Sequence, residues 1–143
     1  MNYRYIDGVA IADVAFEAWG PDIESLFAAA ADATMNVMVE DLDSIHQAVD
    51  IACSIENPQQ DLLLFSFLNE FLYYKDAQQL LLRTRDLSIL QSEDGFVLKG
   101  VLSGEALDRS RHRLLVDVKA VTLHRFSLEQ VPDGWKAFVI LDI

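Results

Sequence analysis

Two carboxylates stand where chemistry could happen. Asp13 lies between Ala12 and Val14 at the mouth of an apolar, strand-like run, and Asp142 follows Val139, Ile140 and Leu141 at the close of another. An ionised carboxylate in apolar surroundings is costly unless it is paired or binds a metal. If folding brings the two strand ends together, Asp13, Asp142 and the terminal oxygens of Ile143 form an all-oxygen site. That donor set suits hard cations such as Ca²⁺, Mg²⁺ or Mn²⁺. On spacing alone a plainer reading stands level with it, in which Asp13 is a turn former and Asp142 a solvated end.

Lys119 is the other exception, a cation in the middle of "LLVDVKAVTLH". Alternation there predicts a long strand with Val116, Val118, Ala120 and Thr122 on one face and Asp117, Lys119, Val121 and Leu123 on the other. A lysine in such a strand is an edge device against aggregation, or else it reaches a bound anion or a partner's carboxylate. The three histidines, His46, His112 and His124, are too far apart to read as a cluster. His124, in "KAVTLHRF", reads as a structural histidine before a catalytic one. The chain shows no Gly-rich phosphate loop, no H-E-x-x-H, no G-x-S-x-G and no zinc-type Cys/His spacing, so an ordinary cofactor enzyme is not expected.

The elements that must position these residues follow from periodicity. "NYRYI" and "VAFEAWG" read as two strands joined through "DGVAIAD", with Val14, Phe16 and Ala18 on one face and Ala15, Glu17 and Trp19 on the other. Gly20 and Pro21 turn the chain, Asp22 offers an N-cap, and Ile23, Leu26, Phe27, Ala30, Thr34, Val37 and Met38 repeat at helical spacing. "QAVDIAC" predicts a strand. A second helix follows, with Leu64, Phe67, Leu68, Phe71 and Leu72 on one face. After Asp76 come the β-like runs "LLLRT", "LSILQ", "FVLKGVLSG", "LLVDVKAVTLHRFSL" and "WKAFVILDI", with "SEDG" as a hairpin turn. The expected architecture is α+β, two helices packed on one face of a mixed, largely antiparallel β-sheet.

The 143 residues are expected to form one domain over 1–143. With 11 basic against 23 acidic residues the formal net charge is −12, which argues against broad binding to nucleic acid and for a basic protein partner or a hard cation. No apolar run is long enough to span a membrane. The single cysteine, Cys53, sits beside Ile51 and Ala52 and reads as an inert buried thiol in a reducing compartment, so a cytoplasmic address is expected.

These residues also carry a likeness. The chain resembles the archeases, small activators of the GTP-dependent tRNA-splicing RNA ligase. The resemblance runs through "ADVAFEAWG" and the capped helix ending in "NVMV", then "LLLFSFLNEFLYYKD", "GEALDRSRH", "VKAVTLH" and the closing "VILDI". It implies an archease-like two-layer sandwich and a divalent cation site, most often assigned to calcium, on Asp13, Asp142 and Ile143. It also implies a functionally sensitive strand lysine at Lys119, with His124 at the neighbouring histidine position. The implied function is to promote guanylylation of the ligase's active-site histidine and multiple turnover, without catalysis by the activator, and with RNA reached only through the ligase. One stretch departs from the pattern. Archeases commonly read D-H-T-A-D or E-H-T-A-D where this chain reads "DGVAIAD", so the histidine is replaced and two residues are added. Two extra residues keep strand parity for Asp13 and leave Asp7 either a ligand or a plain loop acid. The rivals are an assembly chaperone whose cation only staples the chain and, ranked lower, a small metal-dependent phosphohydrolase with His124 as base.

Overall fold

The structure is a computed structural model and describes residues 2–143. Its strands are β1 (Tyr3–Ile6), β2 (Asp13–Gly20), β3 (Val49–Asn57), β4 (Leu80–Ser92), β5 (Gly95–Ala106), β6 (Ala120–Val121), β7 (Ser127–Val131) and β8 (Gly134–Asp142). Two helices, α1 (Ile23–Met38) and α2 (Gln60–Gln78), lie between β2 and β4, separated by β3. The Asp22 carboxylate caps α1 by accepting the Ser25 N–H at 2.8 Å, and Leu26, Phe27, Ala30 and Thr34 are buried on the face that the spacing predicts. At the start of α2, Asn57 Oδ1 accepts the Gln59 N–H at 2.9 Å, and Leu64, Phe67, Leu68 and Phe71 are fully buried.

The α+β reading holds: two helices pack against antiparallel sheet. The strands divide between two sheets, one in the order β1-β2-β8-β6 with β7 also on β8, the other β3-β5-β4. Every strand pairing among the described residues is antiparallel. Phe27 of α1 meets Phe67 of α2 with ring centroids 5.7 Å apart, and Phe67 meets Phe71 edge-on at 5.1 Å, so the helices share one aromatic core.

Two stretches differ from the sequence expectation. "LLLRT" and "LSILQ" form one strand, β4, interrupted by a bulge between Thr84 and Asp86. The inserted Arg85 shifts parity, so Leu82 before it and Leu87 and Ile89 after it return to the sheet's buried side. The long strand expected over 114–128 is mostly irregular. Only Ala120–Val121 and the start of β7 pair, and Leu114 makes an isolated bridge to Val39. Val118 and Val121 are both buried although they differ in parity, while Val116 is exposed, so the faces read from alternation do not exist there. No helix among the described residues is long and apolar enough to cross a membrane.

Gly104 marks the tightest crossing of the small sheet. A Cβ built on it would stand 1.8 Å from the Leu81 carbonyl oxygen, a contact that only a shift of the β4–β5 ladder relieves. Gly104→Ala is therefore expected to destabilise the protein by about 2–3 kcal/mol, read as a lower urea midpoint at unchanged slope.

Candidate functional site

The ladder between β2 and β8 builds the site. Register sets Asp13 directly across from Asp142, at the end of a run in which Val14 faces Leu141 and Phe16 faces Val139. Directly opposed residues share a sheet face. Phe16, Ala18, Ala137, Val139 and Leu141 belong to the core under the helices, so Asp13 and Asp142 stand on the other face, in the row of Ala15, Ile140, Glu17 and Phe138. Both acids are half-buried.

Backbone bonds show how close the two are. Ile143 donates its N–H to the Ala12 carbonyl at 2.9 Å, which makes Ala12 and Ile143 a hydrogen-bonded pair. Asp13 and Asp142 are therefore the adjacent non-hydrogen-bonded pair, the kind in which the α-carbons sit about 4.5 Å apart and side chains approach closest. Their remaining backbone groups turn outward: the Asp13 N–H donates to Ala10 and the Asp142 carbonyl accepts from Lys119 at 2.8 Å. Two like charges directly opposed repel. Among the described residues neither carboxylate is in an ion pair; farther along the same face, Arg4 and Lys136 both bind Glu17.

This donor set fits a hard divalent cation, because it offers only oxygen and carries a repulsion that such a cation removes. Among the described residues no three His, Cys, Asp or Glu side chains gather as a metal cluster. A cation here would draw side-chain oxygens from Asp13 and Asp142 and main-chain oxygens from Ile143, leaving positions open to other ligands.

The other predicted residues are placed less directly. Lys119 is exposed and precedes β6, whose Ala120 pairs with Asp142 and Val121 with Leu141. The register does not continue past Ala120: the Lys119 N–H donates to the Asp142 carbonyl, which anchors the Lys119 backbone beside the Asp142 strand end. His124 is exposed in the turn between β6 and β7 and is not a buried structural histidine. Next to it Arg125 adopts a left-handed backbone (φ 56°) and lays its guanidinium 4.8 Å over the Phe138 ring. Asp7 is exposed in the loop between β1 and β2, outside the paired strands. Cys53 is buried, and burial pushes its thiol up to about 11, which keeps it protonated and inert.

Sequence reasoning missed a second polar centre. His112 is fully enclosed; its Nδ1 accepts the Asp108 N–H at 2.9 Å, so its Nε2 carries the proton and donates to Glu105 at 3.1 Å. Glu105 also pairs with Arg111 and accepts the His46 N–H at 2.6 Å. Burial would raise the Glu105 pKa, but the bonds from His46, Arg111 and His112 outweigh it and hold the carboxyl at about 2. Four residues separate Arg111 from the end of β5, and only the fold closes that loop back onto the strand.

Because the folded pKa of Glu105 is depressed from 4.5, its contribution to stability is fully present above pH 4.5 and is lost as pH falls toward 2. Glu105→Gln is expected to lower Tm at pH 7 and to flatten the acid limb of Tm against pH between 4.5 and 2. A variant whose acid limb matches the wild type would contradict this account of the loop.

The sequence matches the Archease protein family (MTH1598/TM1083) over residues 3–143. It is 34% identical to the protein archease of Archaeoglobus fulgidus over 145 aligned positions, covering 100% of both chains. Identity is also 34% to the protein archease of Pyrococcus furiosus over 133 positions, 92% of this chain and 93% of the relative. The solution structure of Methanobacterium thermoautotrophicum protein 1598 superposes with a TM-score of 0.84 at 30% identity, covering 99% of each chain. A Thermotoga maritima crystal structure, described as an archease and possible chaperone, shares the fold at a TM-score of 0.63 and 16% identity, covering 96% of this chain and 97% of that one. The chain thus belongs to the archease family, whose members are non-catalytic activators.

Proposed function

We propose that the protein activates a GTP-dependent tRNA-splicing RNA ligase, promoting guanylylation of the ligase's active-site histidine and so its multiple turnover. The observation that carries this reading is the Asp13–Asp142 pair, two carboxylates without an ion-pair partner among the described residues, opposed at one end of the larger sheet on the face away from the helices. Asp13, Asp142 and Ile143 would hold a divalent cation, calcium or one of its smaller relatives magnesium and manganese. When bound, such a cation supplies positive charge that offsets charge on nucleotide phosphates.

The chain's own groups do the rest. Asp13 and Asp142 set the position of that charge through a rigid ladder and not through a loop. Lys119 presents an ammonium at the same end of the sheet, toward phosphate or an acidic group of the ligase, and His124 lies on the neighbouring turn. The net charge of −12 suits a ligase whose RNA channel is basic, and leaves RNA contact to the ligase. A second reading has one observation in its favour. The opposed acids sit on the second and last strands, so a cation there could act purely as a staple in an assembly chaperone.

Turnover of limiting ligase separates the two, with GTP, divalent metal and RNA ending in a 2′,3′-cyclic phosphate. The protein is expected to move the ligase from about one ligation per molecule to many, and Asp142→Asn to abolish that gain. Unchanged stimulation by Asp142→Asn would remove the cation site from the mechanism. A calcium titration followed by Tm tests the site itself: a cation at about 100 times its Kd adds ~2.7 kcal/mol to the wild type, and Asp13→Asn and Asp142→Asn lose the gain. Stabilisation by calcium with a ligase that ignores the protein would favour the staple.

A further inference from the structure

Lys75 lies in the last turn of α2, where a cation complements the helix dipole. The side chain does not run out to water. It is 11% exposed, its Nζ donates to the Val118 carbonyl at 2.9 Å, and it pairs with Asp117 and with Asp76. Two of its donors are hydrogen-bonded, to Asp117 and to the Val118 carbonyl, and Asp76 adds an ion contact at 2.8 Å.

The Val118 carbonyl belongs to the same planar peptide group as the Lys119 N–H. That N–H donates to the Asp142 carbonyl at 2.8 Å. The Val118–Lys119 peptide is therefore clamped from both sides, by α2 through Lys75 and by β8 through Asp142. The Val118 side chain is itself buried in the core, but it does not fix the plane of the peptide, and few other backbone bonds among the described residues do. β6 begins only at Ala120 and pairs through two residues, and upstream the segment touches α1 through a 2.8 Å bond from Leu115 to Met38 and a long 3.4 Å bond from Val116 to Val37.

We infer that Lys75 is the positioning residue of the activating end of the molecule. It fixes the plane of the Val118–Lys119 peptide, and through that plane the direction in which Lys119 leaves the sheet and the strand end that carries Asp142. This rests on the proposed activator role of Lys119 and Asp142. Asp117 and Asp76 are exposed and water can satisfy them, so the consequential acceptor is the half-buried Val118 carbonyl.

Amide hydrogen exchange of Lys75→Met and Lys75→Arg tests the positioning without any ligase. In Lys75→Met the Lys119 amide is expected to exchange about tenfold faster, with the β2–β8 amides of Phe16 and Val139 unchanged, and Lys75→Arg to restore protection. In the ligase assay Lys75→Met is expected to lower turnover, and the pair Lys75→Met with Lys119→Ala to be no worse than Lys119→Ala alone, the non-additivity of two residues acting through one group. Unchanged protection of Lys119 in Lys75→Met would overturn the inference. So would equal loosening of the β2–β8 amides, or losses of turnover that simply multiply. Failure of the wild-type protein to stimulate the ligase would instead count against the activator reading, while Lys119 exchange still decides the role of Lys75.

Discussion

The rest of the molecule depends on one antiparallel ladder, the pairing of Asp13–Gly20 with Trp135–Asp142. It joins segments separated by more than a hundred residues and places β8 between β2 and the short strands β6 and β7. Its inner row, with Phe16 across from Val139 and Ala18 across from Ala137, is the floor on which α1 packs. The same register that makes this row apolar forces Asp13 and Asp142 to oppose each other at its end. A slip of one residue would expose the core row and separate the acids, so the burial that stabilises the fold also determines the geometry of the site.

Around that ladder the chain is held by side chains where regular pairing stops. Between β5 and β7 only two residues form a strand, and the stretch is secured by Glu105 with His112 and Arg111, by Lys75 on Val118, and by the buried side chains of Val118 and Val121. Such contacts lock particular positions and leave the intervening backbone irregular. That combination suits a segment that must offer exposed groups, Lys119 and His124, at defined places beside a strand.

Charge is distributed to the same effect. Many of the few basic residues are committed internally: Arg83 to Asp32 and Asp43, Arg85 to Asp50, Arg4 and Lys136 to Glu17, Arg113 to Glu40. Most of these pairs are at least partly exposed and contribute little to stability individually. Their consequence is that the surplus acids dominate the outer surface while Asp13 and Asp142 lack a cationic partner among the described residues.

Local chemistry in the sequence determined the two helices, the Asp22 cap, the aromatic face of α2 and the turn at Glu93–Asp94, because periodicity and capping act over a few neighbouring residues. It also marked Asp13 and Asp142 as acids in apolar runs. Their opposition, the bulge at Arg85 and the buried Glu105–His112 contact were decided by tertiary structure, since each depends on which distant strand or loop arrives alongside. The stretch around Lys119 shows the limit most plainly. Its alternating residues satisfy the pattern of a strand, yet β8 has room for only two of them beside Leu141 and Asp142, and the adjoining backbone is held instead by Lys75 from a helix some forty residues earlier.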